Sequence, residues 1–96
     1  MVRALTGLLR RLKKRPVDYF RMFYGDTALF GAYDATLCGL AFFGADHVLF
    51  ASDAPFDPEG GPMYIRETIT VLDRLPISSE DRESIYWRNA VRLLRL

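Results

Sequence analysis

A carboxylate directly follows the most strand-like stretch of the sequence. The apolar run HVLFA ends at residue 51, Ser52 and Asp53 come next, and a loop rich in Pro and Gly follows. In α/β folds, ligands bind beyond the carboxyl ends of parallel strands, because the loops there vary while packing fixes the strands. A carboxylate held there on a rigid element can ligate a cation such as zinc. Asp53 is therefore the candidate metal ligand, and a helix cap or an Asx-turn is its structural alternative.

Three other residues carry groups that could take part in chemistry, and each has a plainer interpretation. Asp26 ends a predicted strand and could support such a site, but a turn beside Gly25 is the simpler role. His47 precedes its strand on the side away from the site, so we expect a solvated histidine. Cys38 lies within an apolar helix with nothing electropositive in the sequence to activate its thiol, so we expect a small core residue.

Charges are sorted along the chain, although the net charge is only +1. Residues 1–21 hold seven Lys or Arg against one Asp, residues 22–62 hold six acids and no Lys or Arg, and residues 63–96 hold six Arg against five acids. The acidic middle suits a metal cation and opposes nucleic acid. We interpret the basic run RRLKKR as a solvated helix face, so we expect neither a nucleic-acid nor a membrane partner. A small helical nucleic-acid binder is the weaker alternative.

Cysteine usage and hydropathy indicate the compartment. The single cysteine cannot form an internal disulfide, which is typical of a reducing cytoplasm. No apolar run approaches the roughly 18 to 20 residues that span a bilayer. We therefore expect a cytoplasmic protein.

Hydrophobic periodicity predicts a strand, a helix and a second strand in the first half of the chain. Leu5, Leu8, Leu9 and Leu12 mark one face of an initial helix that Pro16 ends. The aromatic run up to Asp26 predicts a strand over residues 22–26 that is buried on both faces. A helix with Tyr33, Leu37 and Leu40 on one face then ends at a left-handed Gly44, and residues 47–51 form the second strand. Such a unit pairs its strands in parallel.

The second half of the chain is predicted to be helical. Ile65, Ile69 and Leu72 mark the apolar face of a helix over residues 63–75. Ser78 followed by Asp81 resembles a capping box and starts another helix. Asn89 is predicted to begin a last turn.

The order of these segments resembles one protein family. The stretch FFGADHVLFASDAPF, followed by IRETI, LPISSEDR and NAVRLL, is similar to the C-terminal end of amidohydrolase-related proteins of the aminocarboxymuconate-semialdehyde decarboxylase type. The stretch RPVDYFRMFYGDTA resembles the helix and seventh strand that precede it in that family. The resemblance covers roughly residues 12–96.

This resemblance implies a fold and a role for Asp53. The family fold is a (β/α)8 TIM barrel of about 250 residues. By the resemblance, residues 22–26 are strand seven, residues 47–51 are strand eight, and residues 1–96 are a single C-terminal fragment of the barrel domain. Asp53 would ligate a catalytic divalent metal, zinc by expectation, and accept or donate a proton. In the family the metal activates water for hydrolysis or orients a substrate for decarboxylation.

The sequence departs from the family in its metal ligands. The family's His-x-His pair and its later histidines have no counterpart, and Ala51 stands where Gly is usual. A metal site needs three or four ligands, so we expect no tight binding by this chain alone. The predicted function is the C-terminal segment of a metal-dependent hydrolase or decarboxylase acting on a small organic substrate, inactive without a complementing chain or homo-oligomer. The alternative is a non-catalytic oligomerising or protein-interaction module.

Overall fold

The computed structural model describes residues 2–96, with the side chains of the first helix described from Thr6 onward. In chain order its elements are α1 (Val2–Arg11), α2 (Pro16–Phe20), β1 (Gly25–Asp26), α3 (Tyr33–Phe43), a 3₁₀ turn (Ala45–His47), β2 (Val48–Leu49), α4 (Pro62–Arg74), α5 (Ser79–Glu83), a π-helical turn (Ser84–Arg88) and α6 (Asn89–Leu94). The two strands pair in parallel, with Gly25 opposite Val48 and Asp26 opposite Leu49. The predicted α/β class and the parallel pairing are confirmed.

The first strand is shorter than the sequence predicted. Residues 22–24 lie outside it, and Met22 and Phe23 are 54% and 63% exposed. Their amides instead donate to the carbonyls of Tyr19 and Phe20 at 3.0 and 3.2 Å, in a turn that follows α2. The aromatic run was thus wrongly predicted to be a strand buried on both faces. Its first part is helical because Pro16 begins α2 rather than ending α1, a position where its missing N–H costs nothing.

The second strand is also shorter than the predicted residues 47–51. His47 closes the 3₁₀ turn before the strand. Beyond Leu49, the N–H of Phe50 points away from β1 and donates to the carbonyl of Ile85 at 3.0 Å. The predicted strand is therefore present, but only Val48 and Leu49 of the apolar run pair with β1.

The hydrophobic core lies between α3, β2, α4 and the C-terminal helices. Its buried residues are Val48, Leu72, Leu75 and Ile85, and the predicted face of α3 packs against them. The predicted face of α4 is only partly right, because Leu72 is buried while Ile65 and Ile69 are each 39% exposed. The buried face of α4 instead consists of Thr68, Val71 and Leu72.

Three residues predicted to be covered on one side of a helix, Cys38, Leu8 and Leu9, are exposed. Cys38 is exposed on α3, so its prediction as a core residue is wrong; α3 is apolar on several faces, and its periodicity could not say which face meets the core. On α1, Leu8 is 56% exposed, and the side chain of Leu5 lies outside the described residues. The basic residues 10, 11 and 13–15 are exposed as well.

Local signals at two helix ends are confirmed. Gly44 follows α3 with φ of 83°, and its N–H donates to the carbonyl of Leu40. Ser78 begins α5, and its hydroxyl accepts a hydrogen bond from the N–H of Asp81 at 3.0 Å. Each depends on residues within four positions of one another, so the sequence alone specifies them.

The last helix begins at Asn89, as predicted, and a π-helical turn joins it to α5 without a break. In a regular α-helix the N–H of Asn89 would donate to the carbonyl of Ile85. That carbonyl already accepts the N–H of Phe50, and the N–H of Asn89 donates to Ser84 instead. The wider turn therefore coincides with the hydrogen bond between Phe50 and Ile85.

Candidate functional site

The carboxyl ends of β1 and β2 lie side by side, because the strands are parallel. Beyond the paired residues, the N–H of Thr27 donates to the carbonyl of Leu49 at 3.0 Å. Asp26 ends β1, and Asp53 follows β2 by four residues. Both carboxylates therefore lie on loops at the same edge of the sheet, as the sequence predicted from strand direction.

Thr27 joins the two chain segments beyond the strands. It is 2% exposed. Its hydroxyl donates to the carbonyl of Ala51 at 2.8 Å and accepts the N–H of Ala51 at 2.9 Å. A single side chain thus pairs both backbone groups of Ala51, which lies two residues before Asp53. The sequence pattern did not point to Thr27, since only the tertiary pairing reveals a contact over 24 residues.

Asp53 is exposed in a tight turn, and its carboxylate has no hydrogen-bonding or ion-pairing partner among the groups that the structure describes. Its backbone adopts a positive φ of 67°, a conformation that Asp tolerates better than most residues. Its carbonyl accepts the N–H of Phe56 at 3.1 Å, while the hydroxyl of Ser52 accepts the N–H of Ala54 at 3.3 Å. The turn is therefore built by backbone and Ser52, and the side chain of Asp53 is left available for a ligand.

The helix-capping role that the sequence allowed for Asp53 belongs to Asp57 instead. Asp57 is 7% exposed. Its carboxylate accepts the N–H of Glu59 at 2.7 Å and that of Tyr64, in the first turn of α4, at 3.1 Å. Burial alone would raise the pKa of Asp57, but hydrogen bonds from backbone N–H groups, including those of Gly61 and Tyr64, lower it below its ordinary value. The loop that carries Asp53 is thus tied to α4 by an ionised carboxylate.

Asp26 has the turn role that the sequence favoured, whereas His47 is packed against an aromatic ring and is not fully solvated as expected. The carboxylate of Asp26 accepts the N–H of Ala28 at 2.9 Å, which makes the predicted turn. His47 lies at the amino end of β2, where its Nδ1 is 3.2 Å from the carbonyl oxygen of Phe23. Its ring stacks on Tyr24 at 4.3 Å between centroids. His47 is therefore remote from Asp53 along the strand and half-buried rather than fully solvated.

The described residues do not form a complete metal site. No group of three or more His, Cys, Asp or Glu side chains among residues 2–96 is arranged to hold a metal ion. A closed site needs three or four ligands, and Asp53 offers one carboxylate. The donor set of this chain alone therefore does not fit a catalytic metal.

An apolar cavity of about 320 Å³ lies beside β1 and away from Asp53. Gly25, Thr36, Gly39 and Phe43 are among its lining residues, so it is bounded by β1 and α3. Its polar lining residues are Asp26, Thr27 and Thr36, and each of these side chains already makes a hydrogen bond within the chain. Its lining is better suited to apolar side chains than to chemistry.

Aromatic rings are exposed on the loops that follow both strands. Phe30, on the loop after β1, is 57% exposed, and Phe56, on the loop after β2, is 77% exposed. The ring of Phe30 lies 4.8 Å from that of Tyr64 between centroids. The edge of the sheet that carries Asp53 therefore has an apolar, aromatic rim.

No described helix is both long and apolar enough to cross a membrane.

Comparison with known proteins gives a match to a protein family and a similarity to a solved structure. A family model described as amidohydrolase matches residues 3–96. The crystal structure of 2,6-dihydroxybenzoate decarboxylase complexed with 2,6-dihydroxybenzoate is similar, with 28% sequence identity and a TM-score of 0.69 over 90% of this chain. The chain spans 25% of the length of that enzyme. No curated protein matches the sequence.

Proposed function

This chain belongs to the amidohydrolase family, and we propose that it supplies the last two strands, seven and eight, of a (β/α)8 barrel in a metal-dependent hydrolase or decarboxylase. The parallel pairing of β1 and β2 around α3 supports this assignment, because adjacent barrel strands are joined by a helix in this way. The similarity to a decarboxylase over 90% of this chain supports it too. In this proposal β1 is strand seven and β2 is strand eight.

The observation that carries the proposal is the carboxylate of Asp53 beyond the carboxyl end of β2, which has no partner among the described groups. The backbone on both sides of Asp53 is tied down, through Ala51 to Thr27 and through Asp57 to α4. A side chain without partners on an anchored backbone is what a ligand-binding position requires. We propose that Asp53 is the metal ligand and proton acceptor or donor of the complete enzyme.

Enzymes of this family are generally metal-dependent, yet this chain provides one ligand only. In the complete enzyme the remaining ligands come from residues beyond these 96, and no catalytic step is assigned to this chain alone. When bound, a divalent metal such as zinc would polarise a substrate oxygen or activate water. Asp53 would contribute one carboxylate oxygen to it.

The substrate in this proposal is a small organic acid, and decarboxylation is the favoured reaction. The similar solved structure is a decarboxylase complexed with an aromatic acid. The exposed rings of Phe30 and Phe56, on the two loops beside Asp53, would suit an aromatic substrate. Hydrolysis remains the second reaction of the class. We assign the protein to the cytoplasm, since its single cysteine implies no internal disulfide.

The completing strands would be added mainly at the outer edge of β1. Within the described residues the backbone of Asp26 has no partner on that side, and the apolar cavity lies beside it. The outer edge of β2 is occupied, because Asn89 donates to the carbonyl of Val48 and Phe50 donates to Ile85. Pairing on the β2 side therefore requires that these two contacts open or that the closing strand pairs beyond Phe50.

The first step of the test is to capture the protein from its own cell and to measure its intact mass by mass spectrometry. A complete barrel of about 250 residues predicts a chain or assembly of about 30 kDa or more. The captured protein is then assayed for release of carbon dioxide from dihydroxybenzoates and for hydrolysis of a panel of small amides and esters, with and without a chelator. We expect activity that the chelator removes.

The decisive variant is Asp53→Asn, with Asp34→Asn as the matched control. Asp34 is an exposed acid in the first turn of α3, so its neutralisation should leave activity unchanged. Loss of a supporting residue in a metal site costs about 10 to 100-fold in activity, and loss of a ligand should cost at least about a hundredfold. Equal activity of the two variants would remove Asp53 from the mechanism.

The non-catalytic module is the second candidate, and the incomplete donor set favours it. It predicts that the captured species consists of copies of the 11.0 kDa chain and that it neither binds metal nor turns over any of these substrates. That result would refute the enzymatic proposal.

A further inference from the structure

We infer that Thr27 is the positioning residue for Asp53, an inference that rests on the proposed role of Asp53 as a ligand. Thr27 is 2% exposed and forms three hydrogen bonds across the gap between the chain segments. Its N–H donates to Leu49, and its hydroxyl both donates to and accepts from Ala51. No other described side chain pairs with the backbone directly before Ser52 and Asp53.

The hydroxyl of Thr27 replaces the backbone hydrogen bonds that β1 would make with Ala51 if the strand continued. In a continued parallel ladder, backbone groups of the first segment would pair with Ala51. Instead the N–H of Ala28 donates to the carboxylate of Asp26 at 2.9 Å, and the N–H of Leu29 donates to the carbonyl of Thr27 at 2.8 Å. The backbone after β1 therefore curls on itself, and only the Thr27 side chain still reaches Ala51.

The chemistry of this contact requires a hydroxyl. One O–H group donates one hydrogen bond and accepts others, so it can pair an N–H and a carbonyl at the same time. Valine has nearly the same shape but can do neither, and it would leave both groups of Ala51 unpaired at a buried position. Serine retains both bonds. The pair of variants Thr27→Val and Thr27→Ser therefore separates hydrogen bonding from shape.

The contact acts on Asp53 through the backbone. Ala51 lies two residues before Asp53, and the turn from Ser52 to Phe56 follows without a hydrogen bond to β1 in the described structure. On the far side the loop is tied to α4 by Asp57. With Ala51 released, Asp53 would be held from one side only, and the turn that gives it a positive φ of 67° would no longer be anchored to the strand end.

The experiment is NMR spectroscopy of the full chain as wild type, Thr27→Val, Thr27→Ser and Thr36→Val. Two quantities are measured, the exchange rate of the Ala51 amide hydrogen and the three-bond HN–Hα coupling of Asp53, which reports its φ. Thr36→Val is the matched control, because Thr36 is 6% exposed and its hydroxyl also donates to a backbone carbonyl, that of Ala32, at 2.8 Å. Thr36→Val also loses a buried hydroxyl from this protein, but the hydroxyl lies within α3 and does not contact Ala51.

We expect Thr27→Val to raise the exchange rate of the Ala51 amide hydrogen by about five- to tenfold, which corresponds to the loss of one hydrogen bond. We also expect the HN–Hα coupling of Asp53 to become an average over several values of φ. Thr27→Ser should restore both values, and Thr36→Val should leave both at the wild-type values. The inference is overturned if Thr27→Val and Thr36→Val act alike, if serine does not rescue, or if the Ala51 amide is already unprotected in the wild type.

The same variants can be assayed in the captured assembly. Misplacing a ligand by about 1 Å can cost a hundredfold in rate, so we expect Thr27→Val to lower kcat by about tenfold or more and Thr27→Ser to retain it. If the wild type is inactive, the proposed function fails, whereas the NMR result still decides whether Thr27 sets the conformation of Asp53.

Discussion

The fully buried amide of Asn89 provides the sharpest test of how the C-terminal helix is joined to the sheet. Asn89 is 0% exposed. Its Nδ2 donates to the carbonyls of Ala45 and Val48 at 2.6 and 2.9 Å, and its Oδ1 accepts from Arg92 at 3.1 Å. The substitution Asn89→Leu keeps the size of the side chain and removes every hydrogen bond that it makes.

The expected loss follows from the two carbonyls that the substitution leaves buried. A buried polar group without a partner costs about 1 to 3 kcal/mol, so two of them cost about 2 to 6 kcal/mol. Burying the leucine side chain returns about 1.5 to 3 kcal/mol. At the middle of these ranges the free energy of unfolding should fall by about 2 kcal/mol, a large part of the roughly 5 to 14 kcal/mol typical of a domain of this length.

Urea denaturation of the wild type, Asn89→Leu and Arg92→Ala measures this loss. With a slope of about 1 kcal/mol per molar urea for a small protein, the midpoint of Asn89→Leu should fall by about 2 M at unchanged slope. Arg92→Ala removes an exposed donor to the same amide and should cost at most about 1 kcal/mol. An Asn89→Leu midpoint as high as that of Arg92→Ala would refute the reasoning that these carbonyls depend on Asn89.

Three further predictions concern the loops and helix ends. Because the native pKa of Asp57 is lowered, its ionised form stabilises the fold above its unfolded pKa of about 3.9. This contribution should be lost as pH falls through the lower native pKa. Urea midpoints measured between pH 5 and 2 should show the loss in the wild type but not in Asp57→Asn. Ser78→Ala removes the cap of α5 and should cost about 1 kcal/mol, whereas Ser79→Ala, one residue later, should cost only a few tenths by thermal denaturation. Gly31→Ala should destabilise by about 1 to 3 kcal/mol, since Gly31 has φ of 83° and a Cβ there would lie 2.8 Å from Cβ of Glu67; an unchanged midpoint would mean that the loop moves freely away from α4.

The local part of the architecture could be predicted from the sequence. The helix over residues 63–75, the left-handed Gly44 and the cap at Ser78 are confirmed with little change. Each is specified by periodicity or by contacts within one turn. The strand, helix, strand order with parallel pairing also follows, because a single helical crossover leaves few other arrangements.

The burial predictions were less reliable, because a helix that is apolar on several faces does not reveal which one meets the core. Cys38 and Ile69 are exposed, although both lie on apolar stretches of helix. The aromatic run before Gly25 has the composition of a buried strand, yet it lies in a helix and a turn. Composition indicates how much apolar surface the chain has, but not which other residues that surface packs against.

The candidate site divides in the same way. The order of residues alone predicts that a carboxylate, Asp53, follows a strand at its carboxyl end. Three contacts are visible only in the fold: Thr27 pairs with Ala51, Asp57 rather than Asp53 caps α4, and Asn89 closes the edge of β2. The bonds of Thr27 and Asn89 join groups 24 and 41 residues apart. No sequence pattern marks such contacts, because a hydroxyl, carboxylate or amide forms these hydrogen bonds only when folding brings an unpaired backbone group close to it.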